Sequence, residues 1–154
     1  MPTDTLPPLE ECTCLAVRQA ARHVTQFYDR HLAPVGLRTT QFSILARLRR
    51  HGATTINALA DEMVMDRTTL GRNILPLERD GLISIKPGRT DRRSKELRLT
   101  DAGLGRLRAG VQGWKDAQRE FASAFGNERT IGLRALLHEV ATTDLPGAAA
   151  AAAG

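Results

Sequence analysis

The residues with the clearest chemical potential form a basic cluster in one short segment. Between Lys86 and Arg98 the chain has six positive and two negative residues, so this segment carries +4 of the formal net charge of +5. Arginines on a narrow tip suit the minor groove of duplex DNA, where the electrostatic potential is most negative. Taken alone, such a run is more often a solvated basic loop. The predicted DNA contacts in this segment are Arg89, Arg92, Arg93 and Lys95.

A second group of candidate residues lies upstream, on a helix that Asp66 is predicted to cap. At about 100° per residue, the inward set is Leu70, Ile74 and Leu77, and the outward set is Thr68, Arg72, Leu75 and Arg79. An outward arginine can donate two hydrogen bonds to guanine, and a threonine can contact a phosphate or a thymine methyl. Each can equally be an ordinary exposed polar residue. The predicted DNA contacts on this helix are Arg67, Thr68, Thr69 and Arg72.

The hydrophobic pattern predicts elements that position both groups. Two short helices, the first capped by Thr54 or Thr55, are joined by a turn at residues 64–66, which is the order of a helix-turn-helix. Apolar segments at residues 82–86 and 97–99 flank the basic residues 87–94 and predict a β-hairpin with a long tip. A hairpin directly after a helix-turn-helix is the winged-helix order. Pro76 predicts a kink or an early end of the second short helix.

Longer helices are predicted on both sides of this lobe. One runs from Leu9 to about Ala33, and the next starts near Thr39 or Thr40, one of which is the predicted N-cap, and ends at residues 51–52. After Thr100 or Asp101 a long helix follows a heptad pattern whose one polar member is Gln118. Its apolar members are Leu104, Leu107, Val111, Trp114, Phe121 and Phe125, and a last helix carries Leu133, Leu136, Leu137 and Val140.

The outer helices carry apolar stripes that a single chain would leave exposed. Pairing across a two-fold axis would bury these stripes and set two recognition helices about 34 Å apart, one turn of DNA. Alternatively, the stripes cover only the core of their own subunit. We therefore expect a mostly α, α+β winged-helix fold with about six helices and a two- or three-stranded β-wing. The expected parts are dimerisation helices at residues 9–35 and 101–145, a DNA-binding lobe at 36–100 and a flexible tail at 146–154.

The motifs within this pattern resemble those of one protein family. Residues 91–100, Asp-Arg-Arg-Ser-Lys-Glu-Leu-Arg-Leu-Thr, are similar to the D-x-R-x3-(aliphatic)-x-L-T wing signature of MarR-family transcriptional regulators. Residues 59–60 and 77–83 resemble the family's "LA…LExxGLI" segment, and residues 99–103 resemble its "LTxxG". The resemblance covers about residues 15–140. Pro76 departs from the pattern, because the family usually has a helix-compatible residue there.

The resemblance implies an obligate homodimer that binds a pseudo-palindromic operator, usually as a repressor, and is released by a small ligand or by thiol oxidation. Asp91 and Arg93 match the positions that hold and form the wing. The family also has a peroxide-sensing branch whose reactive cysteine lies in the first helix. Cys14 resembles that cysteine, although Arg18 stands where the branch typically has a second tyrosine.

The two cysteines therefore have two interpretations. An antiparallel partner helix could bring Tyr28 of one chain to Cys14 of the other, where a phenol donating to sulfur favours the reactive thiolate, with Cys12 as the resolving thiol. Alternatively, Cys14 is a small buried apolar residue, as free cysteine often is. A C-x-C thiol-disulfide enzyme is disfavoured by its spacing.

The remaining composition excludes several classes of protein. On one helix Cys12 and Cys14 would point about 160° apart, and the four histidines lack ligand spacing, so we expect no zinc site and no cofactor. We also expect no enzyme, because no catalytic set or phosphate loop is found. The N-terminal segment lacks a signal-peptide pattern and no apolar run approaches about 20 residues, which predicts a cytoplasmic protein without membrane contact. The rival to a sequence-specific regulator is a winged-helix module that binds DNA non-specifically or binds another protein.

Overall fold

A computed structural model describes residues 6–147 of the chain. Within that range it has six α-helices and a small antiparallel sheet of three strands, which confirms the predicted winged-helix fold class. The helices are α1 (Thr13–Leu32), α2 (Thr39–His51), α3 (Ile56–Glu62), α4 (Arg67–Arg79), α5 (Asp101–Phe125) and α6 (Asn127–Thr142), and the strands are β1 (Thr54–Thr55), β2 (Ile83–Pro87) and β3 (Lys95–Leu99). Most of the predicted tail, from residue 148 onward, lies outside the described residues.

Side-chain caps determine where three of the helices begin. Thr55 accepts the Ala58 backbone N–H at 3.1 Å, and Asp66 accepts that of Thr69 at 2.8 Å. Thr100 caps α5 by accepting the Gly103 N–H at 3.0 Å. Each cap satisfies a backbone donor that the first turn of a helix leaves unpaired. The predicted starts of α3, α4 and α5 are therefore confirmed.

The start of α2 lies one residue before the predicted position. Thr39 is already helical and Arg38 is the capping residue, so the prediction of Thr39 or Thr40 as the N-cap is wrong. The reason is a contact from another helix, because the Thr39 N–H donates to the Asp29 carboxylate of α1 at 2.7 Å. This bond pairs the Thr39 N–H, one of the donors that the first turn of a helix leaves unpaired, so that Thr39 can lie within the helix.

The first helix also differs from the prediction. Residues Leu9–Glu11 form a separate 3-10 turn, and Cys12 has an extended backbone with φ −78° and ψ 103°. Its sulfur accepts the Leu15 N–H at 3.4 Å, so the thiol caps α1 and the α-helix begins at Thr13. Cys12 therefore does not share a helix with Cys14, and the angle expected between the two thiols on one helix does not apply.

Helix α4 continues through Pro76 and ends at Arg79, so of the predicted kink or early end the early end is wrong, and the kink stays a prediction. Buried leucine and isoleucine side chains lie on both sides of the proline: Ile74 is 2% exposed and Leu77 is 1% exposed. Burial of these side chains stabilises the helix on both sides of the position where proline removes one backbone hydrogen bond.

The predicted hairpin is confirmed, with β2 shifted by one residue, β3 two residues longer and the tip at residues 88–94. β3 is the central strand, pairing with β2 on one side and with β1 on the other. The added strand β1 is Thr54–Thr55, residues that the sequence had suggested only as a helix cap. Pairing of Thr55 with Glu96 brings the start of α3 against the wing.

The main core lies in the lobe, where α2, α3, α4 and the sheet pack together. Its fully enclosed side chains include Ile44, Leu45, Leu59, Leu70 and Leu97. By contrast, the first half of α1 and most of α6 are exposed in the subunit, including Cys14 and Val17. Cys14 is exposed in the single subunit, so its burial as a small apolar residue would need a dimer partner over this face and stays a prediction.

Helix α5 connects the lobe to the outer helices. Leu107 of its predicted heptad pattern is buried, and the Trp114 ring stacks on that of Phe42 in α2. At its first turn the Thr100 N–H donates to the Leu82 carbonyl at 3.2 Å, and the Thr100 hydroxyl donates to the Gly81 carbonyl at 2.6 Å. These bonds attach the start of α5 to the base of the wing.

Candidate nucleic-acid interface

One face of α4 is turned away from the core and presents the residues that the sequence singled out. Leu70, Ile74 and Leu77 are buried, as predicted from the helical spacing. The predicted contact residues Arg67, Thr68, Thr69 and Arg72 are all exposed on this helix. The exposed face therefore offers two guanidinium groups and two hydroxyls to a groove.

The two threonines of α4 differ in the hydrogen bonds that their hydroxyl groups can still make with a ligand. The Thr69 backbone N–H and hydroxyl both donate to the Asp66 carboxylate, at 2.8 Å and 2.7 Å. Both hydrogen bonds lower the pKa of Asp66 from its ordinary value of 3.8, and the bond from the Thr69 hydroxyl has the larger effect. Since the Thr69 hydroxyl proton is used in the cap, Thr69 can only accept a hydrogen bond from a ligand. Thr68 is exposed without such a bond among the described residues.

Asp91 organises the tip of the wing. Its carboxylate accepts the Arg93 N–H at 2.9 Å, and its backbone carbonyl accepts both the N–H and the hydroxyl of Ser94, at 3.2 Å and 2.8 Å. The Gly88 N–H then closes the loop onto the Ser94 carbonyl at 2.8 Å. Such bonds give the loop a defined turn, which sets the direction of the arginines beside Asp91.

The helix and the wing meet at a shared cleft of about 300 Å³. Arg67 from the start of α4 lines it together with Arg93 and Lys95 of the wing, so residues far apart in sequence converge on one surface. Asn57, from the first turn of α3, also lines this cleft and was missed by the sequence reasoning. The pairing of β1 with β3 brings Asn57 to this cleft. That pairing could not be predicted from the sequence, because a strand of two residues leaves no hydrophobic pattern.

The interface carries positive charge that nearby carboxylates do not neutralise. Several cations elsewhere are paired, for example Arg47 with Glu62, and Arg119 with Asp116 at 2.8 Å. Among residues 6–147, no carboxylate oxygen lies within 4.0 Å of the charged groups of the interface cations. These cations are Arg67, Arg72, Arg89, Arg92, Arg93 and Lys95. Unpaired surface cations of this kind can exchange their counterions for the phosphates of a duplex.

The candidate redox residues lie apart from this interface. Cys12 and Cys14 are both exposed free thiols at the start of α1. Tyr28 lies further along α1, and its hydroxyl donates to the Gln118 side-chain oxygen of α5 in the same subunit. Burial raises the pKa of Tyr28, an effect that the charge of Arg134 opposes. A contact between Tyr28 and a partner's Cys14 stays a prediction, and the phenol proton it would use is already donated to Gln118.

No cluster of three or more histidine, cysteine, aspartate or glutamate side chains in residues 6–147 is arranged to hold a metal ion. In the same range, no helix combines the length and apolarity that a membrane crossing requires.

Comparison with known proteins identifies the chain's relatives. The MarR family model matches residues 37–95. The HTH-type transcriptional regulator PecS of Dickeya dadantii is 31% identical over 115 residues, which cover 73% of this chain and 69% of PecS. The organic hydroperoxide resistance transcriptional regulator of Bacillus subtilis is 27% identical over 95 residues, covering 62% of this chain and 65% of that protein.

Solved structures agree with this relationship. The transcriptional regulator MosR of M. tuberculosis, crystallised in complex with DNA, is 36% identical and superimposes with a TM-score of 0.71, covering 86% of this chain and 100% of MosR. The winged-helix fold, the wing motif at residues 91–100 and the similarity to these relatives lead to one conclusion. The chain belongs to the MarR family of transcriptional regulators.

Proposed function

We propose that this chain works as a homodimer that binds duplex DNA sequence-specifically and represses transcription. The observation that carries the proposal is the convergence of cations from α4 and the wing on one cleft, with no carboxylate of the described residues paired to them. MosR has been crystallised with DNA, and it shares 36% of its residues with this chain. A pseudo-palindromic operator would match the two-fold symmetry of such a dimer.

The residues have distinct roles in this proposal. Helix α4 enters the major groove, where Arg72 and Thr68 contact base edges and Thr69 accepts a hydrogen bond. Arg67 and Lys95, with the Asn57 amide, bind phosphate oxygens at the cleft. The wing arginines, which are Arg89, Arg92 and Arg93, enter the adjacent minor groove.

The homodimer would be built by the outer helices, with residues 9–35 and 101–145 as the dimerisation region and 36–100 as the DNA-binding lobe. Apolar side chains are exposed on α6 and at the start of α1, and Leu136 is 62% exposed. A second copy covering both faces would bury this surface, and burial stabilises by about 25 cal/mol per Å² of apolar area. Sedimentation equilibrium should give a mass of twice 16.8 kDa, and a monomer at micromolar concentration contradicts this part of the proposal.

Selection of duplexes from a random library, followed by fluorescence anisotropy, tests the DNA-binding proposal. We expect an enriched inverted repeat and binding that weakens steeply with salt. Arg72→Ala should reduce the preference for the selected sequence more than it reduces binding to random duplex, because a base contact carries specificity. Equal losses on both duplexes would make Arg72 a phosphate contact. Salt-dependent binding without an enriched sequence would indicate a non-specific architectural protein instead.

Release from DNA is proposed to occur by thiol oxidation at Cys14. The Cys14 thiolate attacks one oxygen of an organic hydroperoxide, the O–O bond breaks, and sulfenic acid and an alcohol form once the alkoxide takes up a proton. The Cys12 thiol then condenses with the sulfenic acid to form a disulfide and water. Both thiols are free and lie close together at the start of α1, and the chain is 27% identical to the organic hydroperoxide regulator, which supports this route. A disulfide at Cys12 would remove the cap of α1 and disturb the proposed dimer helices.

Cysteine variants test this route directly. Cumene hydroperoxide should release the wild-type protein from its selected duplex, and Cys14→Ser should stay bound. Cys12→Ser should still form the sulfenic acid, which a dimedone adduct in the intact-protein mass would record, but not the disulfide. Release that persists in Cys14→Ser rules out Cys14 as the sensor.

A small ligand is the alternative route of release, and a second cavity supports it. This cleft of about 360 Å³ lies between the end of α2, the base of the wing and the start of α5. Leu48, Leu99 and Leu104 supply apolar walls, and Arg49, Arg98 and Asp101 supply charged groups of both signs. A ligand there would contact both the lobe and α5. DNA binding that is indifferent to hydroperoxide would favour this route over oxidation.

A further inference from the structure

An exposed leucine lies in the middle of the polar face of α4. Leu75 is 63% exposed, whereas the other leucines of this helix, Leu70 and Leu77, are at most 1% exposed. A single surface leucine needs no explanation by itself. The position of Leu75 among charged residues on this face indicates a specific role for this exposed leucine.

Leu75 shares its face with the proposed base-reading residues. At about 100° and 1.5 Å per residue, it lies about 60° around the helix from Arg72 and about 4.5 Å further along the axis. It lies only about 20° from the direction of Thr68. The buried residue Leu77 points about 160° away, to the opposite side. A groove that admits Arg72 and Thr68 therefore also meets the Leu75 side chain.

The chemistry of the leucine selects one partner within the groove. Its side chain has no hydrogen-bonding group, so it cannot read the donors and acceptors of base edges. The apolar group in the major groove is the thymine C5-methyl, which favours apolar side chains. A second protein is less suitable, because the surrounding cations Arg67, Arg72 and Arg79 favour a polyanion.

We propose that Leu75 is a specificity-determining residue that packs on the methyl group of one thymine in each half-site. The proposal rests on the DNA-binding function proposed above. It predicts discrimination that depends on a methyl group alone, which neither a phosphate contact nor a structural role of Leu75 can produce. Arg72 and Leu75 would then read neighbouring base pairs by different means, one by hydrogen bonds and the other by apolar contact.

Deoxyuridine substitution tests the proposal, because uracil lacks only the methyl group of thymine. The probe is the duplex that wild-type protein selects from a random library, with each thymine pair related by the two-fold axis replaced by deoxyuridine in turn. One replacement should weaken wild-type binding about threefold to tenfold, the effect expected from two lost methyl contacts. Leu75→Ala should bind the thymine duplex as weakly as wild type binds that uracil duplex, and should not distinguish the two duplexes. Leu75→Met should keep the discrimination, because its side chain remains apolar.

The possible failures are distinguishable. If no duplex is enriched, the DNA-binding proposal itself fails. If an operator is enriched but wild-type binding is insensitive to deoxyuridine at every position, only the role of Leu75 is refuted. If Leu75→Ala retains the full sensitivity to deoxyuridine, another residue reads the methyl group and the assignment is also wrong. Circular dichroism of both variants should match wild type, since the side chain is exposed and makes no core contact.

Discussion

The junction between α5 and the wing has no room for a side chain at Gly103, and this leads to a quantitative prediction. A Cβ atom built at Gly103 would lie 1.9 Å from the carbonyl oxygen of Leu82 and 2.8 Å from a methyl carbon of Leu99. Two residues along the same helix, a Cβ at Gly105 would meet nothing within 4 Å. Gly103→Ala and Gly105→Ala therefore make the same chemical change in one helix, and only the first meets a steric obstacle.

The expected energies follow from this difference. Replacing glycine by alanine in the interior of a helix stabilises by about 0.5–1 kcal/mol, which is the expected effect of Gly105→Ala. At Gly103 the backbone of Leu82 must move by more than 1 Å, and overpacking of this kind costs about 1–3 kcal/mol. The hydrogen bond from the Thr100 N–H to the Leu82 carbonyl is then lost as well, at about 1 kcal/mol. We expect Gly103→Ala to destabilise by about 2 kcal/mol, a gap of about 3 kcal/mol between the two variants.

Urea unfolding followed by circular dichroism measures this gap. All proteins must be compared at one subunit concentration, because the stability of a dimer depends on concentration. The midpoint should rise for Gly105→Ala and fall for Gly103→Ala at an unchanged denaturant slope. Equal stabilisation of both variants would refute the reasoning, because it would mean that α5 and the wing base are not in contact. A loss of DNA affinity in Gly103→Ala under conditions where it is folded would show that the junction also orients the wing.

Three further predictions concern the interface. Arg93→Ala should weaken operator binding by roughly tenfold or more without changing the dimer mass, whereas the charge-matched Arg108→Ala, on the exposed side of α5, should have little effect. Asp91→Ala should weaken binding less than Arg93→Ala and add nothing in the double variant, because Asp91 acts by positioning Arg93; additive losses would contradict that role. Because the pKa of Asp66 is lowered in the fold, its cap stabilises the protein above the ordinary carboxyl pKa, and this stabilisation is lost as the pH falls through the lowered pKa. When the pH is lowered, the urea midpoint of Asp66→Asn should therefore fall less than that of wild type.

Local patterns in the sequence were sufficient for the elements that carry the site. The spacing of Leu70, Ile74 and Leu77 predicted the buried face of α4, and Asp66 predicted its first residue, because caps and apolar stripes act within one helical turn. The wing was predicted for a similar reason, since the two strands lie close together in sequence.

The predictions that were wrong or missing depend on contacts between distant segments. The N-cap of α2 moved because Asp29 of another helix binds the Thr39 amide, and α4 passes through Pro76 because core burial outweighs a local preference. One difference has a local cause instead: Cys12 caps α1 with its thiol, a role that serine, threonine, aspartate and asparagine usually fill. Asn57 joined the cleft only through the pairing of β1 with β3.

Contacts between α1 and α5 indicate how a signal at the outer helices would reach the DNA-binding surface. Helix α1 is joined to α5 by the Tyr28–Gln118 hydrogen bond and by the contact of His31 with Glu120 at 3.1 Å. Any change in α1, whether from a thiol cap lost on oxidation or from a ligand, can therefore reach α5 directly.

At its other end α5 cannot slide over the wing, because a backbone carbonyl occupies the space beside Gly103 and the Thr100 hydroxyl donates to Gly81. The lobe and the start of α5 should then move together, and the two lobes of a dimer should change their spacing while each wing keeps its internal structure. A signal favours one spacing only by its own difference in binding free energy, typically about 1–3 kcal/mol. Hydrogen exchange at the wing amides of Arg93 and Ser94 should therefore stay unchanged on oxidation of the free protein, and faster exchange there would show that the wing itself unfolds.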